Sequence, residues 1–274
     1  MANLSLGTIL LVLFAVSLAG CSLGWLNFIY FISLGYGLAI ALQAVSDAVM
    51  FHGGMTLSGW VICIMLFLYG VRLFSFLLVR QLKSASYNKA VMTGVSSSPR
   101  RPFRVSLMIW ISCAMLYLAQ ASPAAFRLER IASGAVASDV SAWIGIALMI
   151  AGLCLESAAD AQKSAAKKKN PHRFVDTGLY RIVRCPNYLG ELVFWTGCFV
   201  TMFGIGARAI EWVIALVGYM GIAYVMFSGT RRLEIKQNSS YGDNPEYREY
   251  VKKTPILLPL VPLYSLEKHS WLKG

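Results

Sequence analysis

The sequence predicts an all-α fold, a multi-pass transmembrane bundle of about seven spans. Three observations carry that expectation. Of the 274 residues, 57% are hydrophobic and 14% charged, against about 45–50% and about 25% in ordinary soluble domains. So much apolar surface exceeds what one soluble core of this size encloses. The apolar residues also gather into runs near the length that crosses a bilayer as a helix, about 20 residues. They lie at 4–21, 24–45, 58–79, 104–121, 140–158, 188–206 and 209–228. Finally, the net charge of +12 is concentrated between those runs. Stretch 80–104 holds six basic residues, 163–184 holds seven, and the segment from Arg231 onward holds eight of the 25.

That patterning excludes a soluble enzyme, a secreted mini-protein and a disordered tail. A nucleic-acid partner is not expected, because the basic residues punctuate apolar spans and form no continuous face. Under the positive-inside rule the three basic stretches are cytoplasmic. The loops after the second, fourth and sixth spans are then external and hold only Arg127, Arg130 and Arg208. The expected setting is a bacterial inner membrane or the endoplasmic reticulum, with one integral membrane domain over 1–274 and the site facing the cytoplasm.

The first span ends Leu18-Ala19-Gly20-Cys21, like a lipoprotein cleavage site. Residues 1–8 carry no Lys or Arg, however, so the charged leader of such a signal is missing. A first membrane helix is expected, nearly fused to the second through an uncharged turn. The third span ends Tyr69-Gly-Val-Arg72, with Arg72 inside the apolar run, where it either snorkels to the surface or serves a site. Ser96-Ser97-Ser98-Pro99 marks the loop before the fourth span. The helical pattern of the fifth span breaks between Lys167 and Pro171. Pro186 is suited to open the sixth at its first turn. After the seventh, residues 229–274 read as a cytoplasmic tail, punctuated by Pro245, Pro255, Pro259 and Pro262, that packs back on the bundle.

The six cysteines form no C-x-x-C, and His52, His172 and His269 are far apart, so neither a disulfide framework nor a metal site is expected. Gly35-Tyr-Gly37 and Gly204-Ile-Gly206 lack the third glycine of a dinucleotide fingerprint. Polar residues at membrane depth are costly and therefore mark candidate sites. Glu156, Asp160 and Lys163 share one face of the fifth span at i, i+4 and i+7. A solvated helix end with an ion pair would show the same spacing. Carboxylates there accept hydroxyl and amide protons, as a ribose would offer. Arg181 and Arg184 precede a helix N-terminus, a favourable place for an anion. Asn187, Glu191 and Trp195 then recur every four residues on an otherwise apolar helix, an arrangement that interhelical hydrogen bonding would also use. Tyr188 suits an interfacial belt. Tyr69 is a phenol able to polarise a carbonyl. Arg231 and Arg232 serve equally as phosphate ligands or as cytoplasmic anchors.

These residues resemble the steroid 5-alpha-reductase-like family of membrane reductases, most closely its large, mostly uncharacterised branch. The branch pattern is E-x-x-A-D-x-Q-K, then T-G-L-Y-R-x-x-R-H-P-N-Y-L-G-E-x-x-F-W. Here it reads Glu156-Ser-Ala-Ala-Asp160-Ala-Gln162-Lys163, then Thr177-Gly178-Leu179-Tyr180-Arg181, Arg184-Cys185-Pro186-Asn187-Tyr188-Leu189-Gly190-Glu191 and Trp195. Tyr69-x-x-Arg72 resembles a motif of the steroid reductases themselves.

The resemblance implies NADPH held in a cytoplasm-facing cavity of a seven-helix bundle. Glu156, Asp160, Lys163, Asn187, Tyr188, Glu191 and Trp195 would line it. Arg181, Arg184, Arg231 and Arg232 would meet phosphates, with Glu234 beside them. Tyr69 would hold a substrate carbonyl, and Asp47 or Gln43 would stand in for its acidic partner. The implied reaction is reduction of a carbon–carbon double bond conjugated to a carbonyl, in a lipid-soluble substrate such as a 3-oxo-steroid-like molecule or an enoyl lipid. Besides this substrate and membrane lipid, no protein partner is expected. Cys185 replaces the usual His of the branch. The segment Arg231-x-x-Glu234, Tyr247-x-x-Tyr250, Pro255 and Pro259 is similar to isoprenylcysteine methyltransferases, which share the fold. The alternative is thus a membrane methyltransferase using S-adenosylmethionine on a prenyl or lipid acceptor; Asn187 and Glu191 favour the reductase.

Overall fold

The computed structural model describes residues 4–83, 102–135 and 138–272. Lys89, Arg100, Arg101 and the expected loop at Ser96–Pro99 lie outside the described residues. Among the described residues there are helices and turns and no strand. The helices are α1 (Leu6–Cys21), α2 (Leu34–Phe51), α3 (Leu57–Lys83), α4 (Phe103–Ala132), α5 (Val140–Lys169), α6 (Pro186–Val200), α7 (Ala209–Tyr241) and α8 (Pro245–Lys253). Six of them, all but α6 and α8, are long and apolar enough to cross a membrane. Their exposed side chains include Leu11, Leu68, Ile144 and Val217, apolar surface that only lipid would solvate cheaply. The chain is an integral membrane protein with an all-helical, multi-pass fold.

The structure departs from the expected spans in three places. The run 24–45 is not one helix. Residues Ser22–Trp25 and Phe28–Ile32 are two 3₁₀ turns, and the Asn27 side chain accepts from the Ile29 backbone N–H at 3.2 Å. Hydropathy alone does not distinguish such turns from helix, because their side chains are just as apolar. The expected sixth span, 188–206, is a helix of 15 residues, about 22 Å long against about 30 Å of hydrocarbon. It ends in turns that reach Gly204 and Gly206, both at positive φ. Lastly, α7 continues through Tyr241, so the first part of the expected tail extends the seventh helix.

The residues fall into two compact units. The first contains residues 1–146 and 198–219. Within it α2 packs on α1 and α3, and α1 on α4. Small residues set these contacts. A Cβ on Gly37 would lie 2.8 Å from the Gly70 carbonyl oxygen, and one on Gly70 would lie 2.6 Å from the Ala41 nitrogen, so α2 and α3 touch backbone to backbone. Arg127, expected in an external loop, is instead a fully buried residue of α4. Its guanidinium donates to Asp139 Oδ1 and Ser141 Oγ, both at 2.8 Å, and to the carbonyls of Ser138 at 2.9 Å and Thr201 at 3.1 Å. Glu211 similarly accepts from Arg130 at 3.0 Å and from the Arg208 backbone N–H at 2.8 Å. All three basic residues of the expected outer loops are therefore ion-paired, which lowers the cost of burying Arg127 and Arg130.

The second unit contains residues 147–197 and 220–274. Here α5 and α6 cross at two glycines. A Cβ on Gly190 would lie 2.6 Å from the Glu156 nitrogen and 2.8 Å from the Gly152 carbonyl oxygen. The chain after α8 pairs with the segment entering α6: the Arg184 and Cys185 backbone N–H groups donate to the carbonyls of Pro255 at 2.9 Å and Ile256 at 3.0 Å.

Candidate functional site

The sequence-predicted residues divide between the two units. Tyr69 and Asp47 are in the first; the remaining twelve belong to the second.

In the second unit the Gly152–Gly190 crossing lays the polar face of α5 against α6. Glu156 is 4% exposed, Asp160 9% and Glu191 6%, while Trp195 is buried and Lys163, Asn187 and Tyr188 are half-buried. These carboxylates are therefore enclosed by protein and do not face lipid. Trp195 packs edge-on against Phe194 at 5.3 Å. The Tyr188 hydroxyl faces Gly229 of α7, where an added Cβ would lie 3.4 Å from it. Asn187 Oδ1 is buried with no hydrogen-bond donor among the described residues.

The expected basic residues take different positions. Arg184 is buried and its guanidinium is held by Glu234 at 2.8 Å, in a pair only 1% exposed on either side. It also donates to the Tyr264 carbonyl. The second oxygen of Glu234 accepts the Leu266 backbone N–H at 2.8 Å. Arg184 and Glu234 thus join the N-terminus of α6, α7 and the tail. Arg231 donates to the carbonyls of Glu267 at 3.1 Å and Leu272 at 3.3 Å. Only Arg181 and Arg232 are exposed.

Several motif residues with no role expected from the sequence also contribute to the site, together with Phe174, which no motif marks. Gln162 Oε1 accepts the Leu179 backbone N–H at 2.9 Å and fills the space beside Gly178, whose φ of +60° suits glycine. Tyr250 donates to the Tyr180 carbonyl at 2.7 Å. Phe174 stacks on Tyr250 at 5.5 Å and meets Tyr247 edge-on at 5.2 Å. Burial raises the Tyr180 and Tyr250 phenols well above the ordinary value. Burial also pushes the Cys185 thiol up to about 11, against the opposing pull of Lys163 and Arg184. Cys185 is therefore a neutral thiol that keeps its proton near pH 7, at the position where the resembling branch has His.

A surface depression of about 280 Å³ in this unit is lined by Ile182, Lys253, Pro259, Leu260, Pro262 and Tyr264, among others. None of the carboxylates lines it.

In the first unit Tyr69 is fully buried. Its hydroxyl lies 2.9 Å from that of Tyr36, and either can donate. Tyr36 stacks on Tyr117 at 4.7 Å, and Tyr117 donates to the Phe31 carbonyl at 2.9 Å. Where Asp47 or Gln43 was expected beside Tyr69, the structure puts Tyr36. The Gly37–Gly70 contact sets that register, with Gly70 opposite Ala41. Asp47 is six residues farther along α2, a rise of about 9 Å. Arg72 is half-buried, its guanidinium 5.3 Å from the Phe76 ring centre.

Comparison with known families supplies one match. Residues 25–254 match a family described as protein of unknown function, DUF1295. The chain belongs to the DUF1295 family. No curated protein and no solved structure matches it. The DUF1295 match takes in every candidate residue named above, so the buried acids, Asn187 and the Tyr36–Tyr69 pair all fall within the family region.

Proposed function

We propose that this DUF1295 protein is a steroid 5-alpha-reductase-like membrane enzyme that uses NADPH to reduce a carbon–carbon double bond conjugated to a carbonyl. The observation that carries the reading is the enclosed polar face at the Gly152–Gly190 crossing, where Glu156, Asp160 and Glu191 are buried beside an open Asn187 acceptor. The buried Asn187 Oδ1, with no donor among the described residues, calls for a polar guest. Carboxylates and an amide oxygen accept from ribose hydroxyls and from a carboxamide N–H₂, so these residues fit the sugar and nicotinamide end of the cofactor. Arg184 and Arg231 already hold Glu234 and tail carbonyls. The exposed guanidinium groups of Arg181 and Arg232 are the ones suited to phosphate.

Bound NADPH would supply the hydride. The chain's own part is to bind, orient and keep water away. Tyr69, hydrogen-bonded to Tyr36, is the group suited to donate to a carbonyl oxygen as negative charge develops on it. The substrate class is lipid-soluble, in keeping with a helical membrane protein, and the positive-inside rule turns the basic end of the second unit to the cytoplasm.

Titration of the purified protein in detergent with NADPH, followed by energy transfer from tryptophan, tests the reading. Saturable transfer is expected, lost in Asn187→Ala. Turnover is expected when lipid-soluble enones are added. Saturable binding of S-adenosylmethionine with none of NADPH would replace the reductase by the methyltransferase.

A further inference from the structure

The tail after α8 has an apolar tip that the proposed cofactor residues do not use. Pro259, Leu260, Val261 and Pro262 are four consecutive exposed residues, with Leu260 100% exposed. Fraying is not the cause, because both sides of the tip are clamped. The Ile256 backbone N–H donates to the Leu263 carbonyl at 2.8 Å, and the Leu263 N–H donates to the Val261 carbonyl at 2.7 Å. Below the tip Ile256 and Leu257 are fully buried. Leu260 has a φ of +64°, the one non-glycine in the left-handed region among the described residues. Its Cβ is crowded there, and glycine would adopt the same turn at lower cost. A strained backbone that holds a bare leucine outward points to something that receives the leucine.

The course of the chain beyond the tip says what that is. Leu266 donates its backbone N–H to Glu234, the Glu267 carbonyl accepts from Arg231, and the Trp271 carbonyl accepts from the Tyr224 hydroxyl at 3.0 Å. The tail thus runs back along α7 towards its membrane-spanning part. Tyr224 lies seven residues before Arg231, about 10 Å deeper along the helix. Trp271 is 64% exposed, with its ring centre 6.2 Å from that of Tyr224. Such a Trp–Tyr pair suits the headgroup region of a bilayer. Charge agrees. The depression beside the tip is lined by Ile182, Leu260, Val261 and Tyr264 together with the cation Lys253. Lys253 pairs with Glu249, and its neighbour Lys252 is exposed with no ion-pair partner among the described residues. Apolar side chains beside cations match a leaflet that is apolar within and anionic at its surface. A water-soluble partner would cover the tip but would not explain the descent of the tail to Tyr224.

We infer that the tip at 259–262 is a docking surface for anionic phospholipid, with Leu260 and Val261 entering the leaflet and Lys252 and Lys253 meeting the headgroups. None of the residues assigned to the cofactor takes part, so the two readings fail separately.

Leu260→Cys in a Cys154→Ser background, labelled with bimane and placed in lipid discs open on both faces, reads the immersion. Shielding from iodide is expected, with quenching by phosphatidylcholine that carries a nitroxide high on its acyl chain. Asp243→Cys, in the exposed turn before α8, is the control and is expected to be quenched by iodide alone. Iodide quenching of the Leu260→Cys label equal to that control overturns the proposal and leaves the tip to a water-soluble partner. Moving the nitroxide to phosphatidylglycerol tests the charge. Half-quenching is then expected at a lower mole fraction. Lys252→Gln is expected to shrink the ratio of the two half-quenching fractions about fivefold, the effect of one cation at headgroup level. Equal half-quenching fractions for the two lipids in the protein with Lys252 intact overturn the anionic-lipid site.

Discussion

Arg184 and Cys185 are neighbours whose burial has opposite consequences. Arg184 is tolerated inside the second unit because Glu234 neutralises it and the Tyr264 carbonyl accepts a hydrogen bond from it. Removing one member leaves the other charge buried without compensation. Arg184→Met is therefore expected to destabilise by about 3–5 kcal/mol, and Arg184→Met with Glu234→Met by much less, measured by unfolding in detergent. A milder double variant separates charge burial from simple loss of contacts. Cys185 is neutral and gives a pH signature. Its folded pKa is about 11 against an ordinary 9.0. Below pH 9 both states hold the proton and stability is fully present. As pH rises from 9 towards 11, the unfolded thiol ionises while the folded one does not, and stability falls, at the limit by about 3 kcal/mol. Cys185→Ala is expected to flatten the unfolding midpoint over the lower part of that window. The buried phenols of Tyr180 and Tyr250 add their own loss above pH 10, so the variant and wild type converge in slope there.

At the scale of elements, the candidate site depends on how closely α5 approaches α6. Gly152 and Gly190 leave no room for a methyl group: a Cβ on Gly190 would sit 2.6 Å from the Glu156 backbone. Gly190→Ala is expected to cost about 1–3 kcal/mol by overpacking and to weaken NADPH binding, because Glu156 and Glu191 move with their helices. Gly204→Ala is the control. It meets nothing within 4 Å but has a φ of +77°, so it strains a turn without touching the crossing, and binding should hold. Loss of binding in both variants would detach the site from the crossing. Gly190 was legible in the sequence through its motif, and so was the alignment of Glu156 with Asp160, since periodicity alone fixes a helical face. Gly152 was not legible: a glycine in an apolar span looks like any small residue until its partner helix is known. The Tyr36–Tyr69 pair was hidden for a related reason. Which residue of α2 faces Tyr69 depends on the register of two helices, and that register is set by Gly37 and Gly70, a long-range contact. The 3₁₀ turns before α2 escaped because an apolar run and an apolar helix have the same composition.

For the whole molecule, the distribution of charge makes a statement about orientation that the fold alone does not. Arg127, Arg130 and Arg208 are all ion-paired in the first unit, with Asp139 and Glu211 as partners. Their positive charge is cancelled locally and contributes little to topology. The basic excess of the second unit is less neutralised: Lys168, Lys169, Arg181, Arg232, Lys236 and Lys252 are all exposed, and none has an ion-pair partner among the described residues. The ends of α5 and α7, and α8, thus keep an unpaired positive excess beside the basic residues of stretch 80–104, and the positive-inside rule is expected to hold them in the cytoplasm. Two single substitutions at exposed positions read this out. His269→Cys in the tail is expected to react with a membrane-impermeant maleimide only in inverted vesicles. Ser133→Cys, just after α4, is expected to react only in right-side-out vesicles or intact cells. The native background is low, because Cys21, Cys63, Cys113, Cys185 and Cys198 are buried and the exposed Cys154 lies within a span. Reaction of both positions from the same side would show an odd number of crossings missing between them. The first place to look would be α6, which at 15 residues is shorter than the roughly 20 a full crossing needs.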